Sequence, residues 1–160
     1  MASNRHLGRI IVLQTLYEYE FRHGAGDSNA DVESILARNL ARYKHMVDDQ
    51  EFVKRLVRGV AADEAQLDAI IGRLAPEWPV DQIARVDRTV LRMALYELQH
   101  GNDVPARVVI NEAVELAKSF GADNASRFVN GVLGTFYREH VGPSASEAEV
   151  PSPESKQPQK

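Results

Sequence analysis

Apolar positions recur at three- and four-residue intervals along most of the chain, and no stretch shows the strict alternation of a strand. The clearest case is Asp87–Leu98, which contains no Gly and no Pro and consists largely of strong helix formers. Wound as a helix, Val86, Val90, Met93, Ala94 and Leu98 fall on one side, and Leu91, Leu95 and Tyr96 cover much of the rest. Only Arg92 and Glu97 interrupt this surface. A helix apolar nearly all round belongs inside a bundle, and this one is too short and too charged at its flanks to span a bilayer.

The same periodicity predicts six further helices. Residues 4–23 form the first, with Leu7, Ile10, Ile11, Leu13, Tyr17 and Phe21 on a broad apolar face, Ser3 or Asn4 as cap and Gly24 with Gly26 as stop. A second carries Val32, Ile35, Leu36, Leu40 and Tyr43. A third, capped by Asp48 or Asp49, buries Phe52, Val53, Leu56, Val57 and Val60. The fourth opens near Asp63, turns Leu67, Ile70, Ile71 and Leu74 inward, and stops at Ala75 because Pro76 disfavours the helical conformation before it. Pro76-Glu-Trp-Pro79 reads as a rigid elbow, with Trp78 plugging the joint between two helix sets. The central helix follows from Val80 to His100, closed by Gly101-Asn-Asp103. Pro105 suits the first position of the next helix, which runs to Phe120 with Val109, Ile110, Ala113, Leu116, Ala117 and Phe120 inward. Gly121 ends it, and Asp123 or Asn124 caps a last helix with Phe128, Val129, Val132, Leu133, Phe136 and Tyr137 apolar. The expected fold is all-α: one domain over residues 1–141, about seven helices in two small sets divided near 76–79. From Gly142 to Lys160 the Pro, Ser, Glu, Gln and Lys content predicts a disordered tail.

Composition removes several function classes. With no Cys among 160 residues, disulfides, thiolate metal sites and Cys nucleophiles are excluded. The net charge of −4 opposes indiscriminate coating of nucleic acid but allows a local basic patch. Met1 to Leu7 lacks the layout of a signal peptide, so a cytoplasmic location without membrane attachment is the expectation.

The strongest catalytic pattern is Glu20-x-x-His23 with Glu97-x-x-His100, since paired Glu-x-x-His motifs build dimetal sites in helical bundles. Both pairs sit in the last turn of a helix, where His suits the dipole and bonds the final carbonyls, and no other helix offers a lone inward Glu. A dimetal enzyme is therefore the rival reading, and the expectation is no enzyme, no cofactor and no metal. Phosphate-binding glycine loops and nucleophile elbows are missing as well. Gly131-Val-Leu-Gly134 predicts close helix–helix contact. A surface argument remains. Arg5 and Arg9 lie one turn apart with His6 between them, and Lys118 and Arg127 flank Gly121-Ala-Asp-Asn124, which opens a helix. A helix start and basic side chains receive phosphates, and an aromatic such as Tyr17 or Phe128 can stack on an unpaired base. Tyr17 also lies on the apolar side of its helix, which is equally compatible with burial.

Leu13-Gln-Thr-Leu-Tyr17, Val86-Asp-Arg-Thr-Val-Leu-Arg-Met-Ala-Leu-Tyr-Glu-Leu98, Val104-Pro105, Ile110-Asn-Glu-Ala-Val-Glu-Leu-Ala-Lys-Ser-Phe-Gly121 and Phe128-Val-Asn-Gly-Val-Leu133 occur in that order. Together they resemble the NusB family of bacterial transcription antitermination factors over roughly residues 5–138. The resemblance implies an all-α factor without catalytic activity. It also implies a heterodimer with NusE, the ribosomal small-subunit protein, that binds boxA RNA of nascent ribosomal transcripts. With other Nus factors the pair would help RNA polymerase read through terminators. It further implies that Arg5, Arg9, Tyr17, Lys118, Asn124, Arg127 and Phe128 bind RNA, and that Asp81 and Asp87 bind the protein partner. The family's arginine cluster is denser than the one here, where His6, Leu7 and Gly8 separate the two arginines; an adaptor that has lost RNA binding is thus a further alternative.

Overall fold

The computed structural model describes residues 2–101 and 103–140, residues 2–4 as backbone only, so the tail expected from Gly142 lies outside the described residues. Among these, seven α-helices are present: α1 (Ala2–Gly24), α2 (Val32–Arg42), α3 (Gln50–Ala62), α4 (Glu64–Leu74), α5 (Arg85–His100), α6 (Ala106–Phe120) and α7 (Ala125–His140). A single 3-10 turn, Val80–Gln82, precedes α5, and no described residue is in a strand. The chain divides into two compact units, one up to Glu64 and one from Ala65. This division falls ten or so residues before the Pro76–Pro79 elbow that the sequence marks, because α4 belongs with the helices that follow it.

In the first unit α1 packs on both α2 and α3. Its buried stripe runs through Gly8, Ile11, Val12, Thr15 and Leu16, and it meets Ile35, Leu36 and Leu40 of α2 and Val53, Leu56, Val57 and Val60 of α3 as the apolar core. Thr15 belongs to this stripe because its hydroxyl accepts a hydrogen bond from Asn39 Nδ2 at 2.9 Å, so neither polar group is buried unsatisfied. The stripe is rotated from the face expected from the sequence, and Tyr17 and Phe21 turn outward. Their rings stack one turn apart at 6.3 Å and 9°. At Gly8 an added Cβ would lie 3.2 Å from Val53 Cγ2, so the missing side chain lets α1 approach α3 closely. Asp31 and Asp49 cap α2 and α3, accepting from the backbone N–H of Ser34 and Phe52 respectively. Surface ion pairs link the helices: Glu18 of α1 with Arg38 of α2, and Glu33 of α2 with Arg58 of α3.

In the second unit α6 packs against both α7 and α5. From Asp87 to Leu95 every residue of α5 is buried, as the all-round apolar pattern requires. The two arginines within that run are accommodated individually. Arg92 meets Asp68 of α4 in a two-pronged pair, Nε–Oδ1 at 2.7 Å and Nη2–Oδ2 at 2.8 Å. Arg88 turns back to donate from Nη1 to the carbonyls of Val80 and Ile83, both at 3.1 Å. That second contact explains why α5 begins at Arg85 and not at Val80. The two carbonyls are held by a guanidinium, and Ile83 and Ala84 take extended conformations. Ile83 is buried in the elbow, whereas Trp78 is 56% exposed and does not plug it. Phe120 is likewise exposed, since it ends α6 immediately before Gly121. A Cβ at Gly131 would meet open space, contrary to the close contact expected there, and of the two glycines in that motif only Gly134 is buried.

Candidate functional site

The first basic region is built where α1 meets α3. Arg5 and Arg9 project one turn apart, on either side of Gly8. Their guanidinium carbons lie 4.6 Å and 5.1 Å from the centroid of the Phe52 ring, a favourable cation–π arrangement. Phe52 is in the first turn of α3, next to the Asp49 cap, and Arg5 Nη2 lies 3.5 Å from Asp49 Oδ2. The two arginines differ in access. Arg5 keeps 23% of its side chain exposed, while Arg9 is buried at 3%. Tyr17, three turns further along α1, is at the surface with Phe21 stacked on it. Phe52 escaped the sequence reading as anything but core, because nothing in the spacing of α1 announces which ring of α3 lies beneath its arginines.

The second region surrounds the loop between α6 and α7. Lys118 is exposed in the last turn of α6, Asn124 is exposed with its carbonyl accepting from Phe128 N–H at 3.1 Å, and Arg127 is exposed in the first turn of α7. The loop is tight. A Cβ on Gly121 would fall 2.5 Å from Ala125 Cβ, 2.7 Å from the Ala117 carbonyl oxygen and 2.9 Å from Asp87 Oδ1, so no other residue fits without displacing backbone.

That last distance leads to a cleft of about 450 Å³ at the start of α5, walled by Trp78, Ile83, Asp87, Ala125 and Phe128 among others. Phe128 is half-buried in this wall, and the exposed Trp78 stands at the same cleft. Asp87 is 8% exposed, and its Oδ1 is buried with no hydrogen-bond partner among the described residues. Burial raises its carboxyl above the usual value, since nothing in the cleft offsets the lost hydration of the charged form. Asp81, in contrast, is exposed on the 3-10 turn and does not line the cleft.

The two Glu-x-x-His motifs lead elsewhere. His23 packs on Tyr19 at 5.8 Å and His100 on Tyr96 at 4.5 Å, each an i, i+4 contact closing its own helix. Among the described residues no group of three His, Cys, Asp or Glu side chains could hold a metal ion. No described helix is long and apolar enough to cross a membrane.

The sequence profile of the NusB family matches residues 6–138, which include both basic regions except Arg5, and the cleft. The chain belongs to the NusB family. It is similar to the transcription antitermination protein NusB of Chloroflexus aggregans, 44% identical over 143 residues that cover 88% of this chain and 91% of that protein. Among solved structures, NusB of T. maritima superposes with a TM-score of 0.75 at 36% identity, covering 85% of this chain and 92% of the other. A chain from a structure of antitermination factors NusB and NusE in complex with double-stranded RNA has a TM-score of 0.75, covering 88% and 100% of the two chains. At 23% identity that last likeness is one of fold. NusB-family proteins are transcription factors and not enzymes, so the Glu-x-x-His rival yields to the helix-end packing seen at His23 and His100.

Proposed function

We propose that the protein is a transcription antitermination factor that acts as a heterodimer with NusE on boxA-type single-stranded RNA of nascent ribosomal transcripts. The observation that carries this reading is the family match over nearly the whole described chain, with 44% identity to a protein of that name. The work is cytoplasmic, where nascent RNA, RNA polymerase and the other Nus factors meet.

Each unit, taken by itself, carries residues suited to RNA. In the first, Arg5, with 23% of its side chain exposed, offers charge to phosphate and Tyr17 a ring for base stacking; buried Arg9 shares the Phe52 ring with Arg5. In the second, Lys118 and Arg127 supply charge beside the start of α7, where Asn124 and the first backbone N–H groups favour an anion. The protein partner docks at the cleft. An apolar wall that includes Trp78 and Phe128 suits a side chain of NusE, and Asp87 Oδ1 awaits a donor from it. Asp81 lies at the exposed rim as a steering charge.

Titrating boxA RNA into the protein with and without NusE tests the proposal. NusE should strengthen binding, and scrambled RNA should bind less tightly. Equal affinity for both RNAs with no gain from NusE would sink it. A second reading, an adaptor that contacts only protein, draws on the burial of Arg9, which leaves fewer accessible cations than the motif implies. That reading predicts NusE binding without RNA binding, even at low salt.

A further inference from the structure

The ring of Phe52 gathers a third guanidinium that belongs to neither basic stretch of the sequence. Arg55 lies one turn along α3 from Phe52, and its guanidinium carbon is 5.9 Å from the ring centroid. We propose that Arg55 is a phosphate-binding residue of the RNA surface, paired with Arg5 across Phe52 in the role that buried Arg9 does not fill. This rests on the RNA-binding reading above and adds a contact from a helix outside the family's N-terminal segment.

The other cations of α3 are already matched. Lys54 Nζ lies 3.4 Å from Glu51, and Arg58 Nη2 lies 2.8 Å from Glu33. Arg55 is exposed and, among the described residues, has no carboxylate within ion-pair distance. Its position is nonetheless restricted, because the ring it approaches is 4% exposed and fixed in the core. A guanidinium placed by an aromatic ring keeps its N–H edge free for the two oxygens of a phosphate and loses little freedom on binding. Arg5 reaches the same ring from α1, at 4.6 Å, and keeps 23% of its side chain exposed beside its contact with Asp49, so an exposed and a part-exposed guanidinium share one rigid base. Gly8 makes the arrangement possible by letting α1 approach Val53 and Phe52.

The test compares Arg55→Ala, Arg55→Lys, Arg5→Ala and Arg58→Ala in boxA RNA binding with NusE present, across a salt series. Loss of one phosphate contact on a single strand lowers the salt slope by about 0.7, roughly fivefold in affinity at 0.1 M salt. Arg55→Ala should show that loss at an unchanged melting temperature. Arg55→Lys should keep the slope, and Arg58→Ala, whose charge is taken up by Glu33, should behave as wild type. If Arg5→Ala weakens binding while Arg55→Ala leaves slope and affinity intact, the inference is overturned and the RNA-binding reading stands. A wild-type protein that binds no boxA RNA would overturn both. Affinity lost together with melting temperature, and not restored by Lys, would make Arg55 a structural residue and also refute the proposal.

Discussion

Replacing Asp87 by Asn should make the free protein more stable and its partner complex weaker. Asp87 keeps one carboxylate oxygen buried with no partner among the described residues, which costs about 1–3 kcal/mol for an unsatisfied group. Its place in the first turn of α5 returns about 0.3–1 kcal/mol through the helix dipole. Asn has nearly the same shape and leaves a polar atom in the same partnerless place, so what it removes is only the extra cost of burying a charged group over a neutral one, and it forfeits the dipole contribution. The balance is a gain of at most about 1 kcal/mol at neutral pH, or up to roughly 2–4 °C in melting temperature for a chain of this size. The pH dependence gives the sign independently. Burial raises the folded-state value of Asp87, so the folded protein holds this proton more tightly than the unfolded chain. Stability from this group is therefore full at acid pH, falls as pH rises from the ordinary carboxylate value to the raised one, and is level above it. Glu18 has the opposite sign: burial pushes it up, but hydrogen bonds from Arg38 and Arg22 outweigh that and hold it low. The difference between wild type and D87N, measured by urea unfolding at a series of pH values, cancels such background. The gain of D87N should appear as pH rises through that window and persist at neutrality. NusE affinity should drop at least tenfold, about 1.4 kcal/mol. A D87N protein less stable than wild type at neutral pH, or one whose stability difference ignores pH, would refute the reasoning.

Trp78→Ala should change folding stability by less than about 1 kcal/mol, since the side chain is largely exposed, yet weaken NusE binding markedly; titration calorimetry with a parallel melt checks both. The single Trp also makes its fluorescence a direct report of cleft occupancy. Asp68→Ala should destabilise by about 1–3 kcal/mol, because Asp68 forms a two-pronged pair with the guanidinium of Arg92, whose side chain is 8% exposed; Arg92→Met in the same background should recover part of the loss in urea unfolding. Gly8→Leu should cost about 1–3 kcal/mol by forcing α1 from α3, and should lower RNA affinity by separating Arg5 from Phe52.

Much of the fold was legible because helical periodicity and end signals agree. Asp49 before Phe52, Gly121 after Phe120 and the all-round apolar run of α5 each mark an element that the structure contains. What the sequence hid depends on contacts between elements. The Thr15–Asn39 hydrogen bond rotates α1 and exposes Tyr17 and Phe21, and no periodicity argument weighs a polar pair as core. Arg88 captures two carbonyls and delays the start of α5, which a propensity argument cannot foresee. The candidate site follows the same rule. Arg5, Lys118 and Arg127 stand out as charges in sequence, but the Phe52 ring under Arg5 and Arg55 and the orphaned oxygen of Asp87 exist only once helices are paired.

The central claim is antitermination, and the most direct measurement is terminator read-through in a reconstituted transcription reaction with RNA polymerase, NusE and the other Nus factors. Adding this protein should raise read-through on a template carrying boxA and leave it unchanged when boxA is scrambled or NusE is omitted. Read-through that is the same with and without the protein on the boxA template would contradict the account.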